Sequence, residues 1–171
     1  MISKINKIGY SWNVNNGQIL ATAIHHGHSL SPGLSDYFNL DSMQRLREED
    51  PFTGSWTEIG DHQLIVDRSR FECDLNRSPD LSLYRKPEDA WGLDLYNKEL
   101  PDEMVKDSLE YFNKFYDSVD LFLNEQMGLY NNFLVIDIHS YNHRRSGPND
   151  DPAPIENNPD VNLGTFYIRP K

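Results

Sequence analysis

Three imidazoles crowd the stretch LATAIHHGHSLSP, residues 20–32, where an apolar run gives way to a Ser/Pro turn. His25, His26 and His28 are half of the chain's six histidines. Another histidine, His139, closes a second apolar run, NFLVIDIHS at 132–140. Neutral imidazole is the commonest protein ligand for zinc. A catalytic zinc takes three protein ligands and keeps a further position open. His25 and His139, at the ends of two adjacent strands, would supply two of them. LREEDPF offers Glu48, Glu49 or Asp50 as the third. Asp137 lies two residues before His139, on the same face of an extended strand. A carboxylate there would hold the second nitrogen of a ligating imidazole.

A blander reading competes at each position. A histidine at a strand end is more often a hydrogen-bonded loop residue than a ligand. His26 and His28 read as exposed or pocket-wall residues, and His62, beside Asp61 in a turn, reads as surface. REED reads as a solvated helix end. The arginines of RSR (68–70) and NRS (76–78) read as surface charge.

These residues need elements to position them. GQILATAI (17–24) reads as a buried strand opened by glycine. SMQRLREED (42–50) follows Asp41, a good N-cap, and meets Pro51, so it reads as a short helix. HQLIVDRSRFECDLN (62–76) reads as one or two strands, and RKPEDAWGLDLYNKELP (85–101) as a long surface loop. Val105, Leu109, Phe112, Tyr116, Val119 and Leu123 form one stripe of an amphipathic helix. Asp102 and Glu103 suit its first turn, and Gly128 its C-cap. At about 1.5 Å per residue this helix would run roughly 36 Å, enough to cover a sheet. NFLVIDIHS reads as the next buried strand, and the residues beyond it as a loop dense in Pro, Asn and Asp. Strand, long helix, strand is the grammar of an α/β sheet. In open α/β sheets ligands gather at the carboxyl ends of strands, where His25 and His139 fall.

The chain's 171 residues suffice for one domain with a core. Its net charge of −11 argues against nucleic acid or an anionic membrane as partner. It leaves room for a small anionic substrate, which feels only the local field of its pocket. Three Trp, nine Tyr and eight Phe argue against a disordered acidic chain. The one cysteine, Cys73, excludes an internal disulfide framework and suits a reducing, cytoplasmic setting. No apolar run approaches the roughly 20 residues of a membrane span, and MISKINKIGYSW lacks the apolar segment of a signal peptide.

DLNR (74–77) and IHSY (138–141) resemble two segments of the zinc carboxypeptidases. The closer resemblance is to the N-formylglutamate amidohydrolases, of the same broad zinc-hydrolase group. It rests on IHHGHSLSP (24–32), EED (48–50), SRFECDLNR (69–77), LYR (83–85), IDIHS (136–140) and NPDVNLGTF (158–166), in the family's order. The resemblance implies one α/β hydrolase-type domain over 1–171, zinc-carboxypeptidase-like (phosphorylase/hydrolase-like), with a central mixed sheet and flanking helices. It implies a zinc-dependent amidohydrolase that cleaves N-formyl-L-glutamate, or a similar N-acyl amino acid, as in histidine degradation.

His25 looks like the first ligand and His139 the last. Asp50 looks like the middle one, with Glu49 the alternative. Asn76 and Arg77 resemble the pair that grips a substrate carboxylate, and Arg70 a second cationic contact. Carboxypeptidases place a glutamate three residues after the first histidine, where this chain has His28. Family members also run on past NLGTF and carry a later glutamate resembling the carboxypeptidase general base. No position here corresponds to it, so the expectation is a C-terminally short chain with no assigned base. The alternatives are a non-catalytic metal- and carboxylate-binding remnant and a zinc peptidase or deacylase.

Overall fold

The computed structural model describes residues 3–144, 147 and 149–164. The end of NPDVNLGTF and the YIRPK terminus lie outside them. The chain divides into two compact units, Met1–Ser140 and Tyr141–Lys171. In the second, a 3-10 turn at Ile155–Asn157 sits in a loop, and the Ala153 N–H donates to the His143 carbonyl at 2.6 Å.

The first unit opens with strands β1 (Ser3–Lys7) and β2 (Tyr10–Val14), joined by Ile8 and Gly9. Gly9 has φ 87°, and a Cβ there would come within 2.9 Å of the Tyr111 ring. Strand β3 (Ile19–Ala23) leads to helices α1 (Ser42–Glu48) and α2 (Thr53–Trp56), then strand β4 (His62–Val66). Asp41 caps α1 as its sequence promises, accepting from the Met43 and Gln44 N–H groups at 2.8 Å each. Helix α3 (Asp102–Leu129) precedes strand β5 (Leu134–Asp137). The sheet order is β1-β2-β4-β3-β5. β1, β2 and β4 pair antiparallel, whereas β3 is parallel to β4 on one side and to β5 on the other. The α/β class and mixed sheet are as the sequence implies.

The core lies between this sheet and α3. Tyr10, Trp12, Leu20, Leu64 and Val66 meet Tyr111, Phe112, Phe115 and Phe122. The Trp12 and Phe122 rings lie 4.7 Å apart, and Tyr10 meets Phe115 edge-on at 5.3 Å. The buried line of α3 therefore runs through Tyr111, Phe112, Phe115 and Phe122. Phe112 of the expected stripe lies on this line, and the other five members flank it: Val105, Leu109, Tyr116, Val119 and Leu123 are only partly buried. Gly128 lies inside the last turn, and Tyr130 closes the helix with its N–H on the Gln126 carbonyl.

Three expectations fail on burial. His62 is fully buried, because β4 alternates and places residues 62, 64 and 66 on the α3 side. Its ring meets Phe122 at 5.1 Å, its Nδ1 accepts from the Asn15 N–H, and its Nε2 donates to the Gly17 carbonyl. β5 is an edge strand, with Leu134 and Val135 50% and 46% exposed. The 85–101 segment is a loop around a 3-10 turn (Pro87–Ala90), yet Ala90 and Leu95 anchor a second core with Leu34, Phe38, Phe71 and Tyr84.

Candidate metal centre

The carboxyl ends of β3, β4 and β5 lie side by side because the three strands are parallel. His25 follows β3, and its carbonyl accepts the Asp50 N–H at 3.0 Å. That bond ties the segment after α1 to the end of β3. His139 follows β5, whose register is held by the Ile138 N–H on the Thr22 carbonyl at 2.8 Å. The loop after β3 runs against the loop after β4, bridged at Gly27 and Ser69. A Cβ on Gly27 would lie 2.2 Å from the Asp67 carbonyl carbon, so only glycine permits the approach.

His25, Asp50 and His139 converge, each offering a ligand atom within 4.8 Å of the other two. Asp50 Oδ2 lies 3.4 Å from His25 Nδ1 and 2.9 Å from His139 Nδ1, and the two rings meet edge-on at 4.9 Å. Asp50 Oδ1 accepts from the Ser140 hydroxyl at 3.2 Å. His139 Nε2 lies 2.8 Å from Asp137 Oδ2, and Asp137 Oδ1 accepts from the Thr22 hydroxyl at 2.5 Å. The expected pairing of Asp137 with His139 is therefore present. Burial pushes the Asp50 carboxyl up, but the hydrogen bond from His139 and the nearby His25 imidazole outweigh it and hold the group well below the usual range. Burial pushes His139 down, and its bonds to Asp137 and Asp50 reverse this and raise it to about 10.

On the far side of His25, Nε2 lies 2.7 Å from Asp74 Oδ1. An ionised carboxylate only accepts, so Nε2 carries a proton and donates it to Asp74, which turns Nδ1 toward Asp50 and His139. That Nδ1 is buried and has no hydrogen-bond partner. An orphaned buried nitrogen normally costs free energy. Here it faces a carboxylate and a second imidazole, which is the donor set of a divalent transition metal. The residues present fit a metal ion.

Asp74 is itself enclosed. Arg70 Nη2 donates to its Oδ2 at 2.9 Å, Tyr84 donates its hydroxyl to the same oxygen, and Arg77 Nε lies 3.5 Å away. Burial raises the Asp74 carboxyl, while His25, Arg70 and Tyr84 together bring it well below its usual range. The two arginines read as surface charge therefore stand one residue behind His25. Asn76 is exposed and touches this group through its backbone N–H, which donates to Asp74 Oδ1 at 2.9 Å. Sequence reasoning assigned no role to Asp74 or Tyr84. The available signal was a carboxylate four residues after Arg70 and three before Arg77.

Glu49 points elsewhere. Its buried carboxylate binds His28 Nδ1 at 2.5 Å, Arg45 Nη1 at 3.4 Å and the Ser69 hydroxyl. His28 Nε2 meets the Ser42 hydroxyl at 2.8 Å, so His28 belongs to this network and not to the His25 group. Glu49 and Asp50 are 3% and 4% exposed, so EED is no solvated helix end. A cavity of about 940 Å³ beside α3 and the β1–β2 turn is lined by none of the three clustered residues.

An α/β chain with a His–Asp–His group able to hold a metal is thus defined by fold and site. A family model described as N-formylglutamate amidohydrolase matches residues 17–170, and the chain belongs to that family. The family name denotes hydrolases acting on amides. No curated protein and no solved structure matches the chain. No helix among the described residues is long and apolar enough to cross a membrane.

Proposed function

We propose that this chain is a zinc-dependent amidohydrolase of the zinc-carboxypeptidase-like fold, acting in the cytoplasm. Its substrate is N-formyl-L-glutamate or a similar small N-acyl amino acid, cleaved by water to formate and glutamate. His25, Asp50 and His139 hold the ion. The observation that carries the reading is the buried, unpartnered Nδ1 of His25 facing Asp50 and His139 in a member of this family. Zinc, when bound, supplies Lewis-acid polarisation of a carbonyl and acidifies water at neutral pH.

The chain's own residues do the rest. Asp74 and Asp137 fix the two imidazoles by holding their second nitrogens. Arg70 and Arg77 bring two guanidiniums to one carboxylate, so one positive charge is left for an anionic substrate. The Arg77 side chain is 28% exposed, which leaves its guanidinium fork within reach of a substrate carboxylate, with Asn76 beside it.

The test is reconstitution. The chain is stripped with a chelator, loaded with zinc, and supplied with N-formyl-L-glutamate while formate is measured. One zinc per chain and zinc-dependent formate release are expected. Zinc and glutamate binding without turnover of any N-acyl amino acid would overturn the hydrolase reading and leave a metal- and carboxylate-binding protein.

A further inference from the structure

Only two non-glycine residues among those described have positive φ, Phe52 and Trp91. Trp91 (φ 55°, ψ 27°) closes the 3-10 turn Pro87–Ala90 in the left-handed region. Gly92 follows with φ 91°, so two consecutive residues have positive φ and the first of them is a tryptophan. A bulky residue held there is a strained outlier, and such strain concentrates at ligand sites. The indole is 58% exposed, so burial does not explain it. What it touches does. The Arg70 guanidinium carbon lies 4.7 Å over the Trp91 ring, and the Arg77 carbon 5.9 Å. Arg77 also stacks on Tyr84 at 4.6 Å, and Tyr84 meets Trp91 edge-on at 5.9 Å. Both guanidiniums thus lie on the Trp91 ring, Arg77 also on Tyr84, with Asp74 balancing one of their charges.

We propose that Trp91 is the positioning residue of the carboxylate subsite. Its indole holds the Arg70 and Arg77 planes in register and walls that subsite, selecting a small carboxylate-bearing substrate. This rests on the amidohydrolase reading above for the role of the arginines. A cation over a tryptophan face is attracted by the ring, most strongly where water is excluded. A stacked guanidinium also loses less freedom when it grips a carboxylate.

The experiment compares Trp91→Ala, Trp91→Phe and Trp91→Gly in the zinc-loaded chain. Glutarate and L-glutamate binding are measured by calorimetry, zinc content by atomic emission, and melting by calorimetry. Formate release is measured on the same samples to separate KM from kcat. Trp91→Ala should lose roughly tenfold in carboxylate affinity and raise KM more than it lowers kcat, with zinc content unchanged. Trp91→Phe should recover most of the affinity. Trp91→Gly should bind as weakly as the alanine variant while melting no lower than wild type, because glycine relieves the left-handed strain. Wild-type affinity in Trp91→Ala overturns the proposal while leaving the hydrolase reading intact. A lower melting temperature in Trp91→Gly without loss of affinity overturns it in favour of a turn-capping role. Failure of the zinc-loaded wild type to bind either carboxylate overturns it as well, and formate release then tells whether the hydrolase reading falls too.

Discussion

Replacing Asp74 by asparagine keeps the size of the side chain and removes its charge. The amide oxygen can still accept from His25 Nε2, which the carboxylate now holds at 2.7 Å. The amide nitrogen must then face Arg70 Nη2, Arg77 Nε and the Tyr84 hydroxyl, all of which need an acceptor. The Arg70 side chain is only 13% exposed, so its charge is left inside without its partner. Breaking a buried pair in this way costs about 3–5 kcal/mol. For a chain of this size each kcal/mol moves the melting point by about 2–4 °C, so Asp74→Asn should melt about 6–20 °C lower. The same change loosens His25, and loss of such a supporting carboxylate weakens metal affinity about 10–100-fold. The two effects separate by measurement: calorimetry on metal-free protein reads the first, and competition against a chelating dye reads the second. Zinc affinity within twofold of wild type would refute the claim that Asp74 orients His25. An unchanged melting point would refute the claim that it balances buried charge.

Asp50→Ala should lose most zinc, as should His139→Ala. Glu49→Ala should keep it but destabilise the fold by about 3–5 kcal/mol, since Arg45 is 8% exposed and loses its carboxylate; equal zinc loss in the two carboxylate variants would contradict this division. Phe122→Ala should cost about 3–5 kcal/mol in denaturant titration, because its ring packs against Trp12, His62 and Phe133 at once; a loss under about 1 kcal/mol would contradict the packing. Burial pushes the Cys73 thiol up to about 12 from 9.0, and raises Tyr84, Tyr96 and Tyr111 as well. Groups raised in the folded state stabilise it below their unfolded values, and that stability is lost as pH rises through the folded ones. The melting point should therefore fall steadily above about pH 9, and Cys73 should resist thiol reagents at pH 8 until the chain unfolds; a flat profile to pH 11 would count against the burial.

The convergence of His25 and His139 was legible because both are announced locally, whereas the choice of Asp50 over Glu49 was not. His25 and His139 end apolar runs, and a parallel sheet brings strand ends together whatever lies between. Asp74 was not legible as their support, because its bond to His25 spans 49 residues and depends on how two loops cross at Gly27. His62 shows the converse failure. It carries the same side chain as His25 and stands beside Asp61, yet it lies under Phe122 as a satisfied core residue. Only the tertiary cover decides between ligand, core and surface for a histidine. The exposure of Leu134 and Val135 was hidden for the same reason, since an apolar run states a preference for burial and not the presence of a cover. Of the aromatic line of α3 only Phe112 was read, because several stripes fit one helix and the cover selects among them.

The charges around the site imply an order of binding. Asp50, Asp74 and Asp137 bring three negative charges to the two imidazoles, and Arg70 and Arg77 bring two positive ones. His139, raised to about 10, carries a proton at neutral pH without metal, which makes the site neutral. A divalent ion that displaces this proton leaves one net positive charge, and a bound cation is the largest charge in such a site. Across about 10 Å at an effective dielectric of about 20, one unit of charge is worth about 1.7 kcal/mol, roughly tenfold in affinity. Metal should therefore bind first, and glutarate should bind the zinc-loaded chain about tenfold more tightly than the metal-free one. Parallel calorimetric titrations at low and moderate salt check this, and the difference should shrink as salt rises. Equal affinities in the two forms would show that the arginine pair works independently of the metal's charge, and would separate the two halves of the site.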